Sequence, residues 1–333
     1  MPRLRKVSPQ SKGWRRRRAG KGFVYLDENG AKLGAADVER IRSLAIPPAW
    51  EDVWICPLPQ GHIQAVGTDV AGRRQYLYHP VWRLKQDQTK FDRVLAAAAK
   101  LPAARRRILA DLALEGMPRG RAAATAVRLL DLGYFRIGND AYTQDNGSFG
   151  LTTLERQHVR RRGDVIVFTF VGKSGIEHTI EIDDAAAIEA LDRMRRRKSA
   201  SKRLLAYQEA RRWSDLDSTA VNAYLGDLLG GELTAKDFRT WHATVLAAVA
   251  LAASDEPGDT KASRKRAVKA AVDEVAGYLG NTPTIAKNSY IDPRVLDRYE
   301  SGATIDVDPS RYRTPERRQA AIEKAVLALL ADD

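Results

Sequence analysis

The spacing of apolar positions changes near residue 82. From Phe23 to about Trp82 the apolar residues come in short runs: Val53-Trp54-Ile55-Cys56, His62 to Gly67, and Gln75-Tyr76-Leu77-Tyr78. Short runs rich in β-branched and aromatic residues, bounded by turn formers, predict strands. Asp27-Glu28-Asn29-Gly30 predicts a turn between short strands, and the loop Asp69 to Arg74 joins the last two runs. Val38 to Leu44 reads as a short helix stopped by Pro47-Pro48.

Beyond Trp82 the spacing becomes helical, as in Thr125 to Leu132, Asp184 to Arg197 and Ser218 to Leu229. Thr234, with Asp237 three positions on, predicts the capped start of a helix running to Ala253. Ser254 to Asp259 reads as a loop or linker. Thr314-Pro315 opens a final helix with Ile322, Val326 and Leu330 on one face. A single β interruption is expected: Val165 to Phe170, a turn over Val171 to Gly175, and Ile176 to Ile182 form a hairpin with Lys173 at its tip. The expected fold class is therefore α+β. A small β-rich N-terminal domain covers 22–82, and a larger, mostly α-helical domain with the embedded hairpin covers 83–333.

With 333 residues, 44% of them hydrophobic, the chain can bury a core in each of two domains. Charge narrows the partners. Fifty-five Lys and Arg against 42 acids give +13, which favours a polyanion, nucleic acid before an anionic membrane surface. Residues 1–21 hold nine Lys or Arg, including Arg15-Arg16-Arg17-Arg18, and no acid. They predict a flexible basic arm, which either touches nucleic acid or is simply solvated. The longest apolar run, Ala243 to Ala253 broken by Thr244, is too short to span a bilayer. The first residues lack the apolar segment of a secretory signal. Cys56 is the sole cysteine, and His62, His79, His158, His178 and His242 show no zinc spacing. A cytoplasmic protein without metal, cofactor or membrane attachment is expected.

Five polar positions interrupt otherwise ordinary elements. Arg136 stands between Phe135 and Ile137; Lys173 occupies a glycine-flanked turn; Arg239 shares a helix with Phe238, Trp241 and Val245. Asn281 follows Gly280, where a helix would end, and Tyr290 follows a Thr282-Pro283 turn and Lys287. Singly, each has a bland alternative: a snorkelling arginine, a solvated lysine, a core tyrosine. The Gly-Lys-Ser-Gly turn lacks the spacing of a Walker loop. Asp292 and Asp297, near Tyr290, read as turn and surface residues.

In order along the chain, however, these residues resemble the type IB DNA topoisomerase family, in its poxvirus-like bacterial branch. The resemblance runs from about Gly22 to Gly302. It includes Leu44 to Trp50, Gly61-His62-Ile63-Gln64-Ala65, Arg74 to Pro80, Asn146 to Leu154, Gly172-Lys173-Ser174-Gly175, Thr234 to Trp241 and the tyrosine segment. It implies a two-domain DNA clamp acting on double-stranded DNA as a monomer, with neither ATP nor another cofactor. It implies that Tyr290 is the nucleophile, Arg136 and Arg239 the arginine pair, and Lys173 the general acid. Gln75, Tyr76 and Tyr78 match a DNA-reading strand, Tyr142 a further DNA-contacting tyrosine, and Lys236 the position three before the second arginine. Asn281 departs from the histidine usual in eukaryotic and poxvirus members. An amide donates a hydrogen bond but carries no charge and transfers no proton.

The chemistry agrees with these roles. Charge builds on the non-bridging oxygens of a phosphodiester in its transition state, and two planar guanidiniums suit it. A phenol, with an ordinary pKa of about 10, needs a cationic surrounding to attack. A deoxyribose 5′-oxygen leaves poorly without a proton donor, which a lysine near arginines can be. Two other readings share part of this pattern. A tyrosine site-specific recombinase usually has histidine where Lys236 stands, and a catalytically inert DNA-binding protein would need only the basic charge and aromatic strands.

Overall fold

In the computed structural model, which describes residues 3–133, 135–138, 143, 147–231, 233–254 and 260–331, the chain forms two units, Met1–Phe91 and Asp92–Asp333. The first is built on β1 (Trp14–Ala19), β2 (Gly22–Leu26), β3 (Glu51–Ile55), β4 (Ile63–Thr68) and β5 (Arg74–Tyr78). They pair antiparallel in the order β2-β1-β3-β4-β5. Helix α1 (Ala35–Ser43) adds Ile41 to a small core with Val53, Ile55 and Ala65. The expected strands and turn are all present.

The flexible basic arm is not. Trp14–Ala19 is a strand, and Arg5 bridges to Gly61 through Arg5 N to Gln60 O at 2.9 Å and His62 N to Arg5 O at 2.9 Å. Counting charges hid an alternation. Trp14 and Arg16 are half-buried, whereas Arg15 and Arg17 are exposed. The Arg16 guanidinium donates to Ile46 O (3.2 Å), Pro47 O (3.0 Å) and Trp50 O (2.5 Å), and lies 4.2 Å over the Phe23 ring. Its charge is satisfied by three carbonyls, so partial burial is tolerated.

Helix α2 (Pro80–Ala98) runs through the division at Phe91, so the expected boundary at residue 82 falls inside a helix. The second unit continues with α3 (Leu101–Leu112) and α4 (Arg119–Gly133), then the strands β6 (Val159–Arg162), β7 (Val165–Val171) and β8 (Glu177–Ile182). After α5 (Ala185–Arg196) come β9 (Ala206–Glu209), β10 (Arg212–Asp215), α6 (Ser218–Leu229), α7 (Ala235–Ala252) and α8 (Lys261–Leu279). Three more helices end the chain: α9 (Pro283–Ser289), α10 (Pro293–Glu300) and α11 (Pro315–Ala331). The architecture is α+β, an antiparallel sheet followed by a mostly helical remainder.

Two corrections concern strands. The hairpin of β7 and β8 has a third partner, β6, and β9 pairs with β10 as a separate hairpin. The added strands are four residues each, and β6 is three-quarters arginine, so none is long enough to show the apolar alternation that marks a strand. The linker expected at Ser254 to Asp259 lies, but for Ser254, outside the described residues. Among the described residues no helix is long and apolar enough to cross a membrane.

α4 is buried almost all round and carries the center of the core. One charged knot ties it to its neighbours. Arg105 of α3 forks onto Asp131 of α4 (2.8 and 2.8 Å) and Glu323 of α11 (2.6 and 2.8 Å), and His242 Nε2 of α7 lies 3.6 Å from Asp131. Burial alone would raise the Asp131 pKa; hydrogen bonding to Arg105 overrides it and holds the carboxyl below its ordinary value. Removing the cation would leave two buried carboxylates with Arg128 at 3.4 Å from Asp131 and Gln319 at 3.1 Å from Glu323. Arg105→Ala is therefore expected to lower stability by about 3–5 kcal/mol, read as a lower urea midpoint for the full chain. A midpoint within experimental error of wild type would mean that the carboxylates find other partners.

Candidate active site

The site is organised by the end of α8. Its last turn closes on Gly280 in the left-handed region (φ 58°, ψ 48°), with Asn281 N returning to Ala276 O at 3.0 Å. A helix end leaves carbonyls without intrahelical donors. Here arginines from two distant segments supply them. Arg239 donates to Leu279 O at 2.7 Å. Arg136 donates to Gly280 O at 2.9 Å, Leu279 O at 3.3 Å and Asn281 Oδ1 at 2.8 Å.

Each arginine is held from behind. Arg136 follows the end of α4, where Gly133 leaves room for the Phe135 ring; a Cβ on Gly133 would lie 2.3 Å from it. Phe135 is buried edge-on to Phe168 at 5.0 Å. Leu151 N bonds to Arg136 O and Thr152 N to Ile137 O, both at 2.8 Å, so the segment is fastened on both sides of the guanidinium-bearing residue. Arg239 lies on the first turns of α7, whose start is fixed by Asp237: its carboxylate accepts from Thr234 N at 2.9 Å, as expected, and from Arg93 at 3.0 Å.

Tyr290 ends α9, its N–H bonded to Ala286 O at 3.0 Å. Thr282-Pro283, expected as a turn, is the N-cap and first residue of that helix. The tyrosine is half-buried against the core, and its ring lies 5.6 Å from Arg239 Cζ. The next residues are locked to α7, because Asp292 N donates to Thr244 Oγ1 at 3.1 Å. Asp292 is not a surface residue. It is buried, caps α10 and pairs with Arg294 at 2.8 Å. Asp297 is exposed, as expected.

Electrostatically the cluster is cationic. Burial, then the nearby Arg136 charge, lowers the Arg239 pKa, while the Tyr290 phenol, hydrogen-bonded to it, raises it back in part. A guanidinium remains protonated through this shift. Asn281 Nδ2 is buried without a hydrogen-bond partner, an arrangement that costs free energy until an acceptor arrives. Two guanidiniums thus meet at the end of α8, one of them bonded to the Asn281 side chain and the other beside the Tyr290 ring.

Lys173 is exposed at the tip between β7 and β8, one residue beyond Gly172. Gly172 lines a small pocket with Arg136, Arg239, Phe170 and His178. Lys236 is exposed on the first turn of α7, one turn before Arg239. In the N-terminal unit β5 turns Arg74, Tyr76 and Tyr78 to the exposed face, the two tyrosine rings stacked 6.1 Å apart. Gln75 points the other way and holds Asp69 at 2.9 Å. Tyr142 lies outside the described residues. In the sequence Thr244 is only a break in an apolar run, and His178 only an isolated histidine. Its place in the inward register of β8, with Ile180 and Ile182, is the signal that would have found it. Among the described residues no group of three His, Cys, Asp or Glu is placed to hold a metal ion.

Comparison with known proteins agrees with this geometry. The family model for the catalytic core of eukaryotic DNA topoisomerase I matches residues 79–306, and that for the N-terminal domain of bacterial DNA topoisomerase IB matches 22–69. The chain is 29% identical over 297 residues to DNA topoisomerase 1B of Acanthamoeba polyphaga mimivirus, covering 86% of this chain and 87% of the relative. It is 21% identical over 244 residues to DNA topoisomerase 1B of vaccinia virus (strain Copenhagen), covering 73% and 74%. With DNA topoisomerase 1 alpha of Arabidopsis thaliana it shares 29% over 171 residues, half of this chain but 17% of the relative. The catalytic-core match extends from α2 to beyond α10 and so takes in Arg136, Arg239, Asn281 and Tyr290: the chain belongs to the type IB DNA topoisomerase family.

Proposed function

We propose that this chain relaxes supercoiled double-stranded DNA by transient cleavage of one strand, as a monomer acting in the cytoplasm on nucleoid DNA. The two units would hold the duplex as a clamp, with Tyr76 and Tyr78 of β5, and Tyr142 and Lys236, contacting it. The observation that carries the proposal is the meeting of Arg136 and Arg239 at the turn that holds Asn281, with the Tyr290 phenol beside Arg239.

Tyr290 Oη attacks the phosphorus and loses its proton to solvent. A P–O bond to Tyr290 forms as the P–O5′ bond breaks, giving a 3′-phosphotyrosine and a 5′-hydroxyl. The arginine pair and Asn281 hold the non-bridging oxygens, where charge grows. Lys173 gives the leaving 5′-oxygen its proton. The cut strand turns about the intact one, and the 5′-hydroxyl then attacks the phosphotyrosine and restores the backbone. One phosphodiester is exchanged for another in each step, so no ATP is consumed. The short, fixed donors explain why an asparagine suffices at position 281: the work left for it is one neutral hydrogen bond.

Relaxation of a supercoiled plasmid in EDTA without ATP is the direct test. Wild type should relax it; Tyr290→Phe should not, and should yield no denaturant-stable protein–DNA adduct while binding duplex nearly as well. Strand exchange between two duplexes would point to a recombinase, and binding without nicking to an inert DNA-binding protein.

Arg136→Ala and Arg239→Ala should each slow cleavage by roughly 10²–10³-fold, the usual cost of one oxyanion donor. Single-turnover cleavage on a suicide duplex measures this. A wild-type rate in either variant makes that arginine a helix-end brace only.

Lys173→Ala should slow cleavage of ordinary DNA by about 10²-fold or more. A 5′-bridging phosphorothiolate should restore its rate, because a thiolate leaves without a proton. Arg239→Ala should not be restored. Failure to rescue Lys173→Ala would remove the lysine from the proton-donor role.

A further inference from the structure

His178 is a half-buried imidazole that the cleavage chemistry leaves unused. It stands opposite Phe170 in the β7–β8 register and stacks on that ring at 5.2 Å. Two glycines border it. A Cβ on Gly172 would lie 2.6 Å from its Cδ2 and 2.7 Å from its Nε2; a Cβ on Gly280 would lie 2.9 Å from its Cε1. Gly280 needs to be glycine on two counts, since φ is also positive. Gly172 does not, because φ −93° and ψ −167° are open to any residue. What excludes a side chain there is the imidazole.

These glycines have telling neighbours. Gly172 immediately precedes Lys173, and Gly280 immediately precedes Asn281. The ring is a flat wedge with the base of the lysine hairpin on one edge and the arginine-capped turn of α8 on the other. Ile176, beyond the tip, meets the same turn, with its Cγ2 3.9 Å from the Cβ position of Gly280. Two backbone hydrogen bonds, Gly172 N to Ile176 O at 2.7 Å and Gly175 N to Gly172 O at 3.2 Å, shape the turn, and Phe149 N holds Val171 O at its base at 2.8 Å. Burial, then the charges of Arg136 and Arg239, lowers the His178 pKa. The ring is thus neutral at pH 7 and packs beside two guanidiniums without adding a third buried cation.

We propose that His178 is a positioning residue, whose ring docks the Lys173 hairpin against the turn between α8 and Asn281 and so sets where the lysine stands relative to the arginine pair. The catalytic consequence rests on the reading of Lys173 as proton donor. Misplacing a reacting group by about 1 Å costs roughly 10²-fold in rate, so docking matters even though the imidazole touches no reacting atom.

The test uses the full-length chain and two readouts. In His178→Ala, amide hydrogen exchange over residues 172–176 should rise by about tenfold or more, with α8 unchanged. Cleavage of ordinary DNA should slow by about 10²-fold, and a 5′-bridging phosphorothiolate should restore most of it, as for Lys173→Ala. His178→Phe keeps a flat ring and should keep the hairpin protected, which covers the case in which the alanine variant does not fold. Gly172→Ala should loosen the tip in the wild-type background and add nothing in His178→Ala, where the ring it strikes is gone. Unchanged exchange in His178→Ala overturns the inference, as do additive effects of Gly172→Ala and His178→Ala. Rescue of Lys173→Ala without rescue of His178→Ala also overturns it, because the ring then positions something else. If sulfur rescues neither, the proton-donor reading of Lys173 has failed, and the exchange data alone decide whether the ring docks the hairpin.

Discussion

A helix must end, and the last carbonyls of α8 must be paid with donors. In this chain backbone N–H groups of Gly280 and Asn281 serve Ala276 O and Gly277 O, and Leu279 O is left to the two arginines, so one requirement of backbone hydrogen bonding brings them together. Leu279 O receives both Arg239 and Arg136, and Gly280 O and the Asn281 side chain receive Arg136 again. Two guanidiniums from segments far apart in sequence are thereby brought together. The turn that follows leads into α9 and delivers Tyr290 to Arg239.

Bringing like charges together inside a protein is costly, and the structure meets that cost in several places. Carbonyl dipoles satisfy part of each guanidinium. The phenol partly offsets the repulsion felt by Arg239. Behind the site, Arg105 joins Asp131 to Glu323 and so ties α3, α4 and α11 to one another. Asn281 fits this picture: with two permanent cations in place, a neutral donor adds geometry rather than charge.

The N-terminal unit follows the same logic at lower stakes. Arg16 is spent on three carbonyls and a phenylalanine face, whereas Arg15 and Arg17 stay exposed on the opposite side of β1. Pairing of β1 with both β2 and β3 places this basic strand inside the sheet. Its exposed arginines are thus presented from a rigid strand, and ordering them on a phosphate backbone would cost less entropy than ordering a tail.

The sequence by itself determined the division into a β-rich start and a helical remainder, because the periods of two and of three to four residues are local properties. It determined the capped start of α7 and the β7–β8 hairpin with Lys173 at its tip, since turn and cap chemistry is also local. Ordered motifs marked Arg136, Lys173, Arg239, Asn281 and Tyr290 as a set. Tertiary structure decided what long-range pairing decides. Arg16 could not be told from Arg17 until the carbonyls near residues 46–50 were in place. β6, β9 and β10 exist as strands because partners complete their ladders, not because four residues carry a strand pattern of their own. Asp292 reads as a turn acid, yet α7 buries it through Thr244. His178 gains its meaning only when Gly172 and Gly280, distant in sequence, close on its two edges. A contact between segments a hundred residues apart leaves no period in either one, so only the folded chain reveals it.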